Sequence, residues 1–112
     1  MKLIALPASP FVSKCRMAAH HLGLKLQTAP ADVVGQGEDL LAVNPLGKIP
    51  ALIDGDETVF DSRVIVAWLN RKAGGDLYPD DPHLAAERME ALADGIADAA
   101  VAVTQEKRYH AA

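Results

Sequence analysis

The sequence predicts an α/β fold in which helices pack on a four-stranded mixed sheet. The element order is β-α-β-α-β-β-α, followed by one long helix. Three observations carry this. Two strand-like runs, Lys2 to Leu6 and Lys25 to Thr28, flank an amphipathic segment, which is the pattern of parallel strands joined by a helix. Asp54-Gly55-Asp56 lies between two further short runs and signals an antiparallel hairpin. Beyond Tyr78 a helical period of apolar residues runs on to Val103.

Lys2 to Leu6 is an apolar run stopped by Pro7, the mark of a buried strand. Ser9-Pro10 follows as an N-cap and first helical residue. Phe11, Cys15, Ala18 and Leu22 then form one helical face, and Gly23 closes the helix. Lys25 to Thr28 is expected as the second strand. A polar stretch from Asp32 to Asp39 leads into a short helix over Leu40 to Val43, ended by Asn44-Pro45. Ala51 to Ile53 and Thr58 to Phe60 are the hairpin strands. Asp61-Ser62 opens the next helix, with Ser62 expected to cap it. Val64, Ile65, Trp68 and Leu69 form its apolar face, and Gly74-Gly75 ends it. Tyr78 to Pro82 reads as a linker. The final helix starts at about His83 and carries a stripe of Leu84, Met89, Leu92, Ile96, Ala99 and Val103. A thioredoxin-like βαβαββα domain over residues 1–78 follows, with 79–112 as a linker and the first helix of an all-α domain. One helix cannot bury its own stripe, so further helices or a second copy are expected to cover it.

The composition narrows the function classes. The chain has 112 residues and 50% apolar content, enough for one compact core. A net charge of −4 and only 4% aromatic residues suit nucleic acid poorly. No apolar run is long enough to span a membrane, and with no leader-like segment a cytoplasmic location is expected. The single cysteine, Cys15, allows no internal disulfide and no CxxC motif. It lies on the apolar face of its helix, so a buried, inert thiol is expected there. Neither Cys15 with His20-His21 nor any other cluster has metal-ligand spacing, and no metal is expected. Gly47-Lys48 lacks the rest of a phosphate-binding loop.

The chemistry-bearing stretch is Asn44-Pro45-Leu46-Gly47-Lys48-Ile49-Pro50, followed by Asp61-Ser62. Here the chain resembles the cytosolic glutathione S-transferases, in their bacterial, serine-type form, over residues 1 to 104. The resemblance implies a cis proline at Pro50 and a backbone at Ile49 that pairs with the cysteinyl part of glutathione, as an added strand would. Lys48 would reach the glycyl carboxylate, or stand as a solvated loop lysine. Gln36 is a weaker candidate for the same carboxylate. Asp61 and Ser62 would hold the γ-glutamyl end, whose ammonium suits a carboxylate and whose carboxylate suits a helix N-terminus.

Ser9 matches the catalytic serine of the family, ahead of Lys14 and Arg16. A hydroxyl donating to sulfur favours thiolate over thiol, and the helix N-terminus adds positive potential. The implied activity is conjugation of glutathione, as co-substrate, to a hydrophobic electrophile, a detoxification chemistry carried out by homodimers. The alternative is a non-catalytic interaction module like the stringent starvation proteins. The absence of a CxxC motif speaks against disulfide exchange.

Overall fold

The computed structural model of the chain describes residues 1–30, 38–79 and 83–110. Its elements are β1 (Lys2–Ala5), α1 (Pro10–His21), β2 (Gln27–Pro30), α2 (Glu38–Val43), β3 (Ala51–Asp54), β4 (Glu57–Phe60), α3 (Ser62–Ala73) and α4 (His83–His110). They form two compact units, Met1–Asp76 and Leu77–Ala112.

In the first unit the sheet order is β2-β1-β3-β4. β1 pairs parallel with β2 and antiparallel with β3, and β3 pairs antiparallel with β4. The mixed sheet, the hairpin and the thioredoxin-like arrangement are those the sequence predicts. Leu3, Leu52 and Val59 stand in one cross-strand row, and Ile4, Ala51 and Phe60 in the next. Successive residues of a strand face opposite sides, so the two rows feed two cores. On one side Leu40 and Val43 of α2 bury Ile4 and Ala51, with Leu6, Ile49 and Ile53 packed at the edge. The other side holds Leu3, Leu52 and Val59, while α1 and α3 pack against each other. Leu3, Leu52, Ile65 and Leu69 are all completely buried or nearly so. Each such side chain contributes roughly 1.5–3 kcal/mol on burial.

Two expectations shift. β2 begins at Gln27 rather than Lys25, because the end of α1 holds the chain back. Gly23 N–H bonds to His20 O and Leu24 N–H to Ala19 O, and the chain regains the sheet only where Gln27 N–H reaches Met1 O. The buried faces of the helices are also rotated. α1 buries Val12, Cys15, Ala18 and Ala19, leaving Phe11 and Leu22 at the margin. α3 buries Ile65, Val66 and Leu69, while Val64 is exposed and Trp68 half-buried.

α3 closes as α1 does, with Gly74 N–H on Arg71 O and Gly75 N–H on Asn70 O. Gly74 has φ +62°, which a Cβ disfavours. Gly74→Ala is expected to cost about 1 kcal/mol and lower the melting temperature by about 4–8 °C in a thermal scan. An unchanged melting temperature would show that this cap contributes nothing.

In the second unit the Tyr78 hydroxyl donates to both carboxylate oxygens of Glu90, at 2.9 and 3.0 Å. Burial, and then the Glu90 carboxylate, push the Tyr78 phenol well above its usual range, so it remains a donor. Along α4, Leu84, Met89, Leu92, Ile96 and Val103 are each more than half exposed. No helix of the described residues is long and apolar enough to cross a membrane.

Candidate functional site

Sheet register brings the sequence-predicted residues to one end of the first unit. Ile4 pairs with Ala51, and Ala51 with Phe60. The end of β1, the start of β3 and the end of β4 therefore lie side by side. Ser9 follows β1, Lys48, Ile49 and Pro50 precede β3, and Asp61-Ser62 follow β4. The N-termini of α1 and α3 open at this same edge, each presenting backbone N–H groups without a helical partner.

Ser9 is the N-cap of α1, in an extended conformation, and Pro10 is the first helical residue. Its Oγ accepts the Val12 N–H at 3.3 Å. A hydroxyl that accepts one bond still carries its own proton to donate. Accepting an N–H polarises it toward donation. Ser13 lies a turn into the helix, and its hydroxyl donates back to Ser9 O. Cys15 is fully buried.

The Ile49–Pro50 peptide bond is cis. Pro50 is buried, Ile49 half-buried and Lys48 exposed.

At α3 the structure corrects one assignment: the cap is Asp61, not Ser62. Asp61 Oδ1 accepts the Arg63 N–H at 2.9 Å, and Ser62 is already the first helical residue, 7% exposed. Asp61 caps the helix from φ +74° and ψ 125°, a backbone conformation outside the regions that residues with a Cβ favour. The Arg63 side chain folds back onto the same carboxylate, with Nε on Oδ1 and a terminal nitrogen on Oδ2, both at 3.3 Å. That hydrogen bond is the main reason the Asp61 carboxyl sits below its usual value near 3.8, against an opposing contribution from burial. A carboxylate has about four lone-pair sites, so it can accept further donors beside Arg63.

Two residues here were not legible as participants. Arg63 carries no motif signal of its own. Asn44 heads the chemistry-bearing stretch but carries no role of its own in the sequence, yet it is 2% exposed and hydrogen-bonded at both the NH2 and the oxygen of its amide. Its signal was the Asn-Pro-Leu-Gly string, which suits a tight turn around an asparagine. Gln36, and Asp80 to Pro82 of the linker, lie outside the described residues. Among the described residues no cluster of His, Cys, Asp and Glu could hold a metal ion.

Residues 3–77 match the family model of the glutathione S-transferase N-terminal domain. The chain belongs to the glutathione S-transferase family. It is 39% identical over 85 residues to glutathione S-transferase 3 of Zea mays, covering 70% of this chain and 38% of that one. An uncharacterized GST-like protein of Escherichia coli, YibF, aligns with the whole chain at 32% identity, over 57% of its own length. A glutathione S-transferase from Methylobacillus flagellatus, solved with glutathione bound, superposes with a TM-score of 0.82 at 39% identity. That match covers 96% of this chain and 55% of the other. The chain thus spans between about two fifths and three fifths of the length of these glutathione S-transferase relatives.

Proposed function

We propose that the chain binds glutathione at the end of the sheet where α1 and α3 begin, and that it serves glutathione transfer to an electrophilic carbon. The observation that carries this reading is the register that aligns Ile4, Ala51 and Phe60, because it gathers a hydroxyl, a strand-leading backbone and a carboxylate at two helix N-termini. These groups fit glutathione one part each. Asp61 takes the γ-glutamyl ammonium, and the α3 N-terminus at Ser62 takes the γ-glutamyl carboxylate. The Ile49 backbone pairs with the cysteinyl amide, and Lys48 takes the glycyl carboxylate. Ser9 donates to sulfur and holds it as thiolate, as in the serine-type bacterial members.

In the reaction the thiol gives its proton to solvent. The thiolate lone pair forms the C–S bond, and the leaving group departs with its electron pair. Lowering a thiol pKa by about 2 units requires about 2.7 kcal/mol of preference for thiolate. One hydrogen bond to the charged sulfur, about 1.5–3 kcal/mol, together with the helix N-terminus, supplies it.

On this reading residues 1–78 are the glutathione-binding domain and 79–112 begin an all-helical domain that holds a hydrophobic electrophile, in a cytoplasmic homodimer. The exposed stripe of α4 supports the need for such cover. Retention on immobilised glutathione and a thermal-shift titration test the reading. A ligand at 100 times its dissociation constant adds about 2.7 kcal/mol to stability, so the melting temperature should climb steadily with glutathione. No retention, together with a flat titration at millimolar glutathione, would overturn it.

A further inference from the structure

We infer that Asn44 is a positioning residue for this site, fixing the turn that presents Lys48 and Ile49. The inference rests on the glutathione-binding reading above and goes on to say what holds the backbone platform in place. Asn44 ends α2, its N–H bonded to Leu40 O at 2.7 Å. Its side-chain amide then reaches across the following loop. Nδ2 donates to Lys48 O at 2.9 Å, and Oδ1 accepts the Leu46 N–H at 2.9 Å. The orientation of the amide is forced, since a backbone N–H requires the oxygen and a backbone carbonyl requires the NH2. Asn44 O accepts the Gly47 N–H at 2.9 Å, and Gly47 takes the left-handed turn at φ +65°.

The turn has little else to hold it. Pro45, Leu46 and Lys48 are exposed, Leu46 by 69%. Asn44, by contrast, is buried and follows directly on Val43, which packs with Leu40 against Ile4 and Ala51. Ile49 packs at the edge of the same cluster. The position of the Lys48 carbonyl, and so of the peptide group that joins it to Ile49, is thereby tied to the core rather than left to a solvated loop. Asparagine is suited to this because one short planar group offers a donor and an acceptor together. Aspartate lacks the donor, and alanine lacks both.

The test uses the whole chain with Asn44→Ala and Asn44→Asp. S-methylglutathione is the probe, because it has no thiol to ionise and its affinity is therefore independent of the thiol–thiolate equilibrium that Ser9 is proposed to set. Calorimetry well below the melting temperature should show binding weakened about tenfold in Asn44→Ala, the effect of roughly one to two buried hydrogen bonds. Asn44→Asp, which keeps the Leu46 bond and loses the Lys48 bond, should weaken binding as well. The thiol pKa of bound glutathione should stay at the wild-type value in both, since the hydroxyl proposed to set it is on α1.

Wild-type affinity in variants that merely melt earlier would overturn the inference, as Asn44 would then serve stability alone. Failure of both variants to fold would overturn it for the same reason. A wild-type chain that does not bind S-methylglutathione would instead remove the glutathione-binding reading, and the positioning role with it.

Discussion

Ser9→Ala is expected to raise the thiol pKa of bound glutathione by about 1–2 units while leaving its affinity at low pH almost unchanged. The asymmetry comes from the chemistry of the bond. A hydroxyl that donates to sulfur stabilises thiolate over thiol, so its loss is felt only where thiolate predominates. Thiolate absorbs in the ultraviolet and thiol does not, so a pH titration of the complex reads the shift directly. The structure adds a complication, because Ser9 also caps α1 through the Val12 N–H. Removing that cap should cost about 1 kcal/mol of stability. Ser9→Thr separates the two effects, since it keeps both the acceptor for Val12 and the donor for sulfur. Its titration should lie near the wild-type curve, as should those of Ser13→Ala and Cys15→Ala. A Ser9→Ala titration that overlays the wild type would remove Ser9 from catalysis and leave a non-catalytic binding module as the better reading.

Asp61→Asn should weaken glutathione binding by about 1–3 kcal/mol with little change in melting temperature. Asparagine keeps a side-chain oxygen to accept the Arg63 N–H and matches aspartate in shape, so the substitution removes the charge while retaining the cap. Asp61→Ala would lose the cap and strain the backbone as well, mixing a folding defect into the measurement. The pH dependence follows from the Arg63 contact. Arg63 lowers the Asp61 pKa, so the folded state holds this proton less tightly than the unfolded chain. Its contribution to stability is fully present above the usual value near 3.8 and is lost as pH falls through the lower folded value. The Asp61 part of S-methylglutathione affinity should therefore persist from neutral pH down through the usual value near 3.8 and fade only as pH falls through the lower folded value. Equal affinities for wild type and Asp61→Asn at pH 7 would exclude Asp61 from the ammonium subsite.

The sequence by itself determined whatever a few neighbouring residues dictate. Ser9-Pro10 started α1, Gly74 ended α3, and Asp54-Gly55-Asp56 folded the hairpin between β3 and β4. Each of these is a local backbone preference that needs no distant partner. The string from Asn44 to Pro50 and the pair Asp61-Ser62 were likewise legible, because their meaning lies in spacing.

Only the tertiary structure decided which side of each helix is buried. Neighbouring residues on a helix differ by about 100° in direction, so Val12 and Ala19 displace Phe11 and Leu22 once the place of α3 is known. The Schellman turn at Gly23 delayed β2, because the strand can begin only where Gln27 meets Lys2. The cap of α3 passed to Asp61, and Arg63 settled on its carboxylate. Asn44 became the support of the Lys48 and Ile49 backbone because α2 packs its end into the core. Hydrogen bonds between a side chain and a backbone group depend on angles set by that packing, and those angles are not written in residue types alone.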